Sequence, residues 1–301
     1  MGLAAAPSPT GQLSRVLRTV ALLERRGYAL PARRLGEFCL GGPISTLEVR
    51  FAVAASGGKL QESAGLVVGA GLAARAPRIR RRADEHAAAA AAYLPETLGF
   101  ARRLVACCPY VLSVSIAGSL ASGGFRESDD VDLNLVVEDG RRHLAYVAVN
   151  LLAYLHALRF RGKPVDDSTR RPLAPRLMTL NLVLERAQCF PLVRQDADMA
   201  FELLQSVPVF GTAFLHGVIA ANPGLSEAFP QLAELCAPVE ILPRRRLPPA
   251  LFPRWLDRPS RAVGASAWRY MQWTRRRSPE ALARVAFVRE TMRPYTLFEK
   301  A

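Results

Sequence analysis

Residues 111 to 137, "VLSVSIAGSLASGGFRESDDVDLNLVV", constrain the fold more than any other stretch, because two alternating segments flank a glycine-rich turn. Val111 to Ala117 alternates apolar Leu112, Val114 and Ile116 with small or polar neighbours, which predicts a strand with one buried face ending at Gly118. Val131 to Val137 puts Val131, Leu133, Leu135 and Val137 on one face and leaves Asp130, Asp132 and Asn134 on the other. A helix is expected over roughly 141 to 158. In the following "RLMTLNLVLE", Met178, Leu180, Leu182 and Leu184 would form the apolar face of a third strand, with Thr179, Asn181 and Glu185 on the polar one. Such strands require helices on their apolar side and leave a carboxylate-bearing side open toward a cleft. The expected fold class is therefore α+β: a small mixed β-sheet with helices on one face, flanked by helical N-terminal and C-terminal regions.

Two aspartates at i and i+2 of a strand point the same way, near enough to share a divalent cation, and Mg2+ takes oxygen ligands of this kind. Without a cation or a basic partner the two charges repel. Upstream, the strand stops at Gly118 and a short helix is expected from Ser119, so backbone N–H groups and a hydroxyl face an anion. A turn of this kind holds a triphosphate tail. Mg2+ between the phosphates and the aspartates would polarise the α-phosphorus for attack by a hydroxyl.

Gly118-Ser119, the ten-residue spacer Leu120 to Asp129, and the run Asp130-Val131-Asp132-Leu133 together resemble the signature of the polymerase-β-type nucleotidyltransferase superfamily. The resemblance is best over residues 100 to 212, where "PLVRQDADMAFELLQSVPVFG" and "AANPG" also look like bacterial nucleotidyltransferase-domain proteins of unassigned activity. It implies a nucleotidyltransferase core in which Gly118 and Ser119 hold phosphates and Asp130 and Asp132 bind Mg2+ and carry the catalysis. The implied partners are a nucleoside triphosphate, ATP among them, and an unknown hydroxyl-bearing acceptor, small molecule or macromolecule. Active members add a third carboxylate on a later strand, and the corresponding position here is Asn181. An amide oxygen can ligate, but it cannot accept a proton at neutral pH. Glu185, expected on the same strand face as Asn181, would lie roughly 13 Å along the strand, too far to replace it. Two readings follow. One is a Mg2+-dependent transferase moving a nucleoside monophosphate from a triphosphate to a hydroxyl; the other is a non-catalytic nucleotide-binding or regulatory protein on the same fold.

Three regions are expected: a helical N-terminal region over 1–95, the core over 96–192 and a helical C-terminal region over 193–301. In the first, a helix is expected over residues 12 to 26 and a second short one in "RGYALPARRLGEF". Ser45 to Ala55 reads either as a strand through Leu47, Val49, Phe51 and Val53, or as a helix through a Ser45–Glu48 capping box with Leu47, Phe51 and Ala54 on one face; helix is preferred. Two short apolar runs around turn residues follow. Three helices and a ribbon resemble a winged-helix module, which would be a DNA-binding arm, while the plainer reading is a helical cap packed on the next domain. "APRIRRRADEH" and the alanine run after it start one further helix, with Pro95 as the first break and Arg78 to Arg82 read as a solvated face in preference to a phosphate contact. Beyond Pro208 come short helices, the connector "PRRRLPPALFPRW", and a last helix whose Trp268, Tyr270, Met271 and Trp273 beside three arginines read as a packed edge rather than a base-stacking surface.

A formal charge of +14 would ordinarily point to a polyanionic partner. Only three of the 40 basic residues are lysine, however, and 22 prolines accompany a heavy alanine content. Compositional drift explains that pattern as well as a ligand does, so nucleic acid has no support beyond charge. The five cysteines form no C-x-x-C and lie near no histidine at ligand spacing, which reads as reduced thiols. His86, His143, His156 and His216 lack metal-site spacing, no Gly-x-Ser-x-Gly surrounds Ser113 or Ser115, and "GAGLAARA" lacks the preceding strand and later acid of a dinucleotide loop. The most apolar stretch, His143 to Phe160, contains Asn150 and His156 and reads as a buried helix rather than a membrane span. With no signal-peptide pattern and no myristoylation site, a cytoplasmic location is expected.

Overall fold

A computed structural model describes residues 9–160 and 178–276, with Pro279, Leu282, Ala283 and Ala286. Helix α1 (Pro9–Arg25) leads to α2 (Ala32–Glu37) and α3 (Thr46–Ala54). The capping box decides the ambiguous segment for helix: Ser45 N donates to Glu48 Oε2 at 2.7 Å while Ser45 Oγ accepts from Glu48 N at 3.3 Å. The face inferred from Leu47 and Phe51 points outward, with those side chains 62% and 65% exposed, and Val49 and Ala52 face the core instead. Glu48 sets this rotation, because its Oε1 accepts from Gln12 of α1 at 2.6 Å and holds the other side of α3 against its neighbours. Strands β1 (Leu60–Ser63) and β2 (Leu66–Gly69) then form an antiparallel ribbon, and Leu30 adds an antiparallel bridge to Val67. The unit packs as a cap: Val20, Leu23 and Leu35 share one apolar core with Leu184, Phe201 and Phe229.

Helix α4 (Ala76–Cys107) does not stop at Pro95 but runs through it. Proline forfeits one backbone bond there, yet the turns on either side are fixed by buried Tyr93, Thr97, Phe100 and Ala101, and Thr97 Oγ1 donates to the Tyr93 carbonyl at 2.7 Å. The elements that follow are β3 (Val111–Ala117), α5 (Gly118–Ser122), β4 (Val131–Val137), α6 (Arg142–Ala157), β5 (Met178–Glu185), α7 (Ala197–Gln205), β6 (Val207–Phe210), α8 (Thr212–Ala220), α9 (Pro223–Ala228) and α10 (Asp257–Arg275). The boundary read at 95/96 falls inside α4, and that at 192/193 separates β6 from the sheet it joins.

The four-stranded sheet has the order β5-β4-β3-β6, with β4 and β5 parallel and the other pairs antiparallel. The chain is thus α+β with a small mixed sheet, but helices cover both faces rather than one. Phe100 and Leu104 of α4 and Val149 of α6 pack on Val114, Leu133 and Leu135. On the opposite face Met199 of α7 and Leu215 and Val218 of α8 lie against Leu182 and Leu184. Ser113 and Ser115, on the side expected to open toward a cleft, are buried beneath that second layer. The polar face therefore stays open only at its Gly118–Asp132 end.

Strand β5 departs from its expected alternation. Leu133 pairs with Leu180 but Asn134 pairs with Leu182, so Asn181 is a bulged residue and the faces exchange beyond it. Met178 and Val183 join the α4–α6 side, whereas Leu182 and Leu184 join the other. Glu185 consequently pairs beside Val137 and its Oε1 lies 3.4 Å from Arg142 N, away from the aspartates and not on their face. At the C-terminal end, Asp257 Oδ1 accepts from the N–H groups of His143 and Leu144 at 2.8 and 2.9 Å, which seats α10 on the start of α6. Tyr270 and Trp273 are each 57% exposed rather than packed, and the side chains of Trp268 and Met271 lie outside the described residues. No described helix is long and apolar enough to cross a membrane.

Candidate functional site

The open end of the sheet brings Gly118, Ser119, Asp132 and Asn181 to one cleft, with Asp130 joined to Asp132 through Thr179. Ala117 pairs with Asp132 across β3 and β4, so the chain leaving β3 turns directly over the second aspartate. Gly118 makes that turn at φ +62°, and a β-carbon built on it would stand 2.2 Å from Asp132 Oδ2. Only glycine fits both the backbone region and the space. Ser119 follows in α5, whose end is closed by Gly123 at φ +86°.

Asp130 is exposed and Asp132 half-buried, and both reach one group that the sequence reading placed on the polar face without giving it a role. Thr179 of β5 pairs with Asp132, and its Oγ1 lies 2.9 Å from Asp132 Oδ1 and 3.2 Å from Asp130 Oδ2. A hydroxyl has one proton, so it satisfies one carboxylate at a time. Two carboxylates and a hydroxyl are hard oxygen donors, and Mg2+ typically takes one or two protein carboxylates and completes its shell with waters and substrate phosphates. The donor set fits that ion. Among the described residues no group of three or more His, Cys, Asp or Glu side chains gathers as a metal site.

Asn181 lines the same cleft as Asp132, and its amide is already engaged. At the bulge its Nδ2 donates to Asn134 Oδ1 at 3.0 Å and to Glu202 Oε1 at 2.9 Å. Glu202 is a carboxylate on α7 that the sequence reading missed, since there it looks like one residue of an amphipathic helix. It is 6% exposed, yet it lines the same cleft as Asp132, Gly118 and Ser119.

That cleft, of about 590 Å3, lies between the N-terminal cap and the sheet, with Tyr28, Arg26, Arg82, Asn181 and Glu202 in its walls. Its volume is that of a site for a small organic ligand. Tyr28 of the cap shares a hydrogen bond with Ser122 of α5, so the cap is tied to the Gly118 turn. The spacer after α5 is held by α4. Arg82 binds the Gly124 carbonyl and the Asp129 carboxylate, His86 Nδ1 accepts from Phe125 N at 3.0 Å, and Tyr93 Oη donates to the Glu127 carbonyl at 3.3 Å. Burial lowers the pKa of His86 from its usual 6.5, which favours the neutral ring this bond needs. Arg82, read as a solvated face, is thus a strut under the spacer. Arg25 and Arg26 share one carboxylate, Asp198, so the rim there keeps a net positive charge.

The buried thiols stand apart from the cleft: burial pushes Cys108 up to about 11 and Cys189 up to about 12, which keeps both protonated. Comparison with protein-family models, with curated proteins and with solved structures finds no match.

Proposed function

We propose that the chain is a nucleotidyltransferase-fold protein that binds a nucleoside triphosphate with Mg2+ in the cleft and transfers its nucleoside monophosphate to a hydroxyl acceptor. The observation that carries this reading is the juxtaposition of Gly118, Asp132, Asp130 and Thr179. A turn open to an anion abuts an acidic pair bridged by one hydroxyl. A pair of carboxylates held so close is stabilised by a cation, and a triphosphate on the Gly118–Ser119 turn supplies the remaining oxygens.

In this reading Asp130 and Asp132 hold the ion, and the ion, when bound, neutralises phosphate charge and makes the α-phosphorus a better electrophile. Gly118 lets the backbone approach the phosphates, and Ser119 offers its hydroxyl to them. Arg82, His86 and Tyr93 keep the spacer from collapsing into the cleft. Asn181, bound to Asn134 and Glu202, orients the far wall rather than joining the ion.

A second reading has one observation in its favour. The strand position where active relatives of the superfamily would carry a carboxylate is an amide, so a nucleotide sensor on the same fold is the alternative. The cap's order of three helices and a ribbon is that of a winged-helix module, but DNA reading is disfavoured: Arg50, the single arginine of α3, lies 3.5 Å from Glu62, and the outward positions Leu47 and Phe51 are apolar. The cap serves the cleft instead, through Tyr28 and Arg26.

Equilibrium dialysis against each of the four ribonucleoside triphosphates tests the proposal. Retention of at least one with Mg2+ and its release by a chelator is the expected result. Equal retention with and without the chelator, or none in either case, contradicts it.

A further inference from the structure

We infer that Glu202 is the proton acceptor for the attacking hydroxyl, so that a carboxylate from helix α7 does the work the Asn181 position cannot. This rests on the nucleotidyltransferase reading and extends it. Glu202 is 6% exposed, and the part of its surface that remains lines the same cleft as Asp132, Gly118 and Ser119. Its orientation is fixed from the sheet side: Asn134 Oδ1 and Glu202 Oε1 both accept from Asn181 Nδ2, at 3.0 and 2.9 Å. Asn181 shares the cleft face of the sheet with Asn134, and α7 packs on that face, which brings the amide and the Glu202 carboxylate together.

The spacing suits the role. Asp132 pairs with Thr179, and the Asn181 amide that binds Glu202 lies two residues farther along β5, so the carboxylate meets the cleft beside the acidic pair and not within it. A carboxylate bonded to the ion would be a poor proton acceptor, whereas one set apart from it keeps its basicity. In the step itself, the acceptor oxygen forms a bond to the α-phosphorus as its proton passes to the Glu202 carboxylate. The bond from the α-phosphorus to the α,β-bridging oxygen breaks, and pyrophosphate leaves with that electron pair. Asn181 is a positioning residue in this scheme, acting through Glu202.

The test uses the full chain, ATP and the other ribonucleoside triphosphates, with water as the acceptor of a slow transfer read as pyrophosphate release. Glu202→Gln keeps the shape and an oxygen for Asn181 to bind, so calorimetric affinity for the Mg2+–triphosphate complex should stay within about threefold of the unsubstituted protein, which also reports an intact fold. Pyrophosphate release should fall about 100-fold. Unchanged release with unchanged affinity overturns the role of Glu202 and leaves the nucleotide reading standing, as does binding without any release in the unsubstituted protein. Absence of triphosphate binding by the unsubstituted protein overturns both together. Should Glu202→Gln fail to fold, Asn181→Leu removes the orienting bond from outside the base, and release falling with affinity maintained supports the assignment, while unchanged release opposes it.

Discussion

Gly118 lies so close to Asp132 that a β-carbon on the glycine would stand 2.2 Å from Oδ2 of the aspartate. The turn that would hold phosphates and the residue that would hold the ion are therefore one packed unit. Gly118→Ala combines a left-handed backbone with a direct clash, and should cost about 1–3 kcal/mol of stability and displace Asp132. Thermal unfolding reads the first effect and triphosphate titration the second. An alanine variant with full stability and affinity would mean that the turn has more freedom than its φ of +62° implies.

Thr179 is the close donor shared by the acidic pair, at 2.9 and 3.2 Å. Removing it as Thr179→Val should destabilise the metal-free protein by about 1 kcal/mol, or about 2 °C in Tm. Saturating Mg2+ should close that gap, because a cation replaces what the hydroxyl did. A deficit equal in chelator and in Mg2+ would show that Thr179 serves packing alone.

His86 gives the spacer a pH dependence. Burial lowers its pKa from 6.5, so the neutral ring that accepts from Phe125 N is favoured in the folded chain. The contribution is complete above about pH 6.5 and is lost as pH falls below that value toward the lowered folded pKa. Triphosphate affinity should weaken across the same interval, and His86→Leu, which has no proton to take up, should flatten that part of the profile. An unaltered profile in the variant would assign the pH dependence elsewhere.

Pro95 sits exposed inside α4, where it withholds a backbone bond. Pro95→Ala should restore that bond and, after allowing for the looser unfolded chain, add about 1–2 kcal/mol in denaturant unfolding. A loss of stability would indicate a bend that the packing around Tyr93 and Phe100 requires.

Much of the core was legible in the sequence. β3 and β4 begin and end where the alternation of 111–117 and 131–137 does, and the Ser45–Glu48 box forms as read. Bulging in β5 left no trace because Met178, Leu180, Leu182, Val183 and Leu184 are apolar on either side of it, and with both faces covered no polar residue marks the exchange. That concealed the exchange of faces beyond Asn181 and put Glu185 on the face of Asn181, where the structure does not have it. Thr179 appeared only as a polar-face residue, since its pairing with Asp132 depends on a parallel register set by a crossover helix. Helix α4 ran past its proline because tertiary packing outweighed the local break. Glu202 lay hidden for a related reason: a helix pattern gives burial, not what the buried side chain meets.

The most direct test of the account is calorimetric titration of the four ribonucleoside triphosphates, with and without Mg2+, into the protein and into its Asp130→Asn, Asp132→Asn double variant. The account predicts saturable binding that needs Mg2+ and is lost in a double variant that unfolds at an undiminished temperature. Binding that survives in the double variant, or a protein that takes up no triphosphate at all, would contradict it.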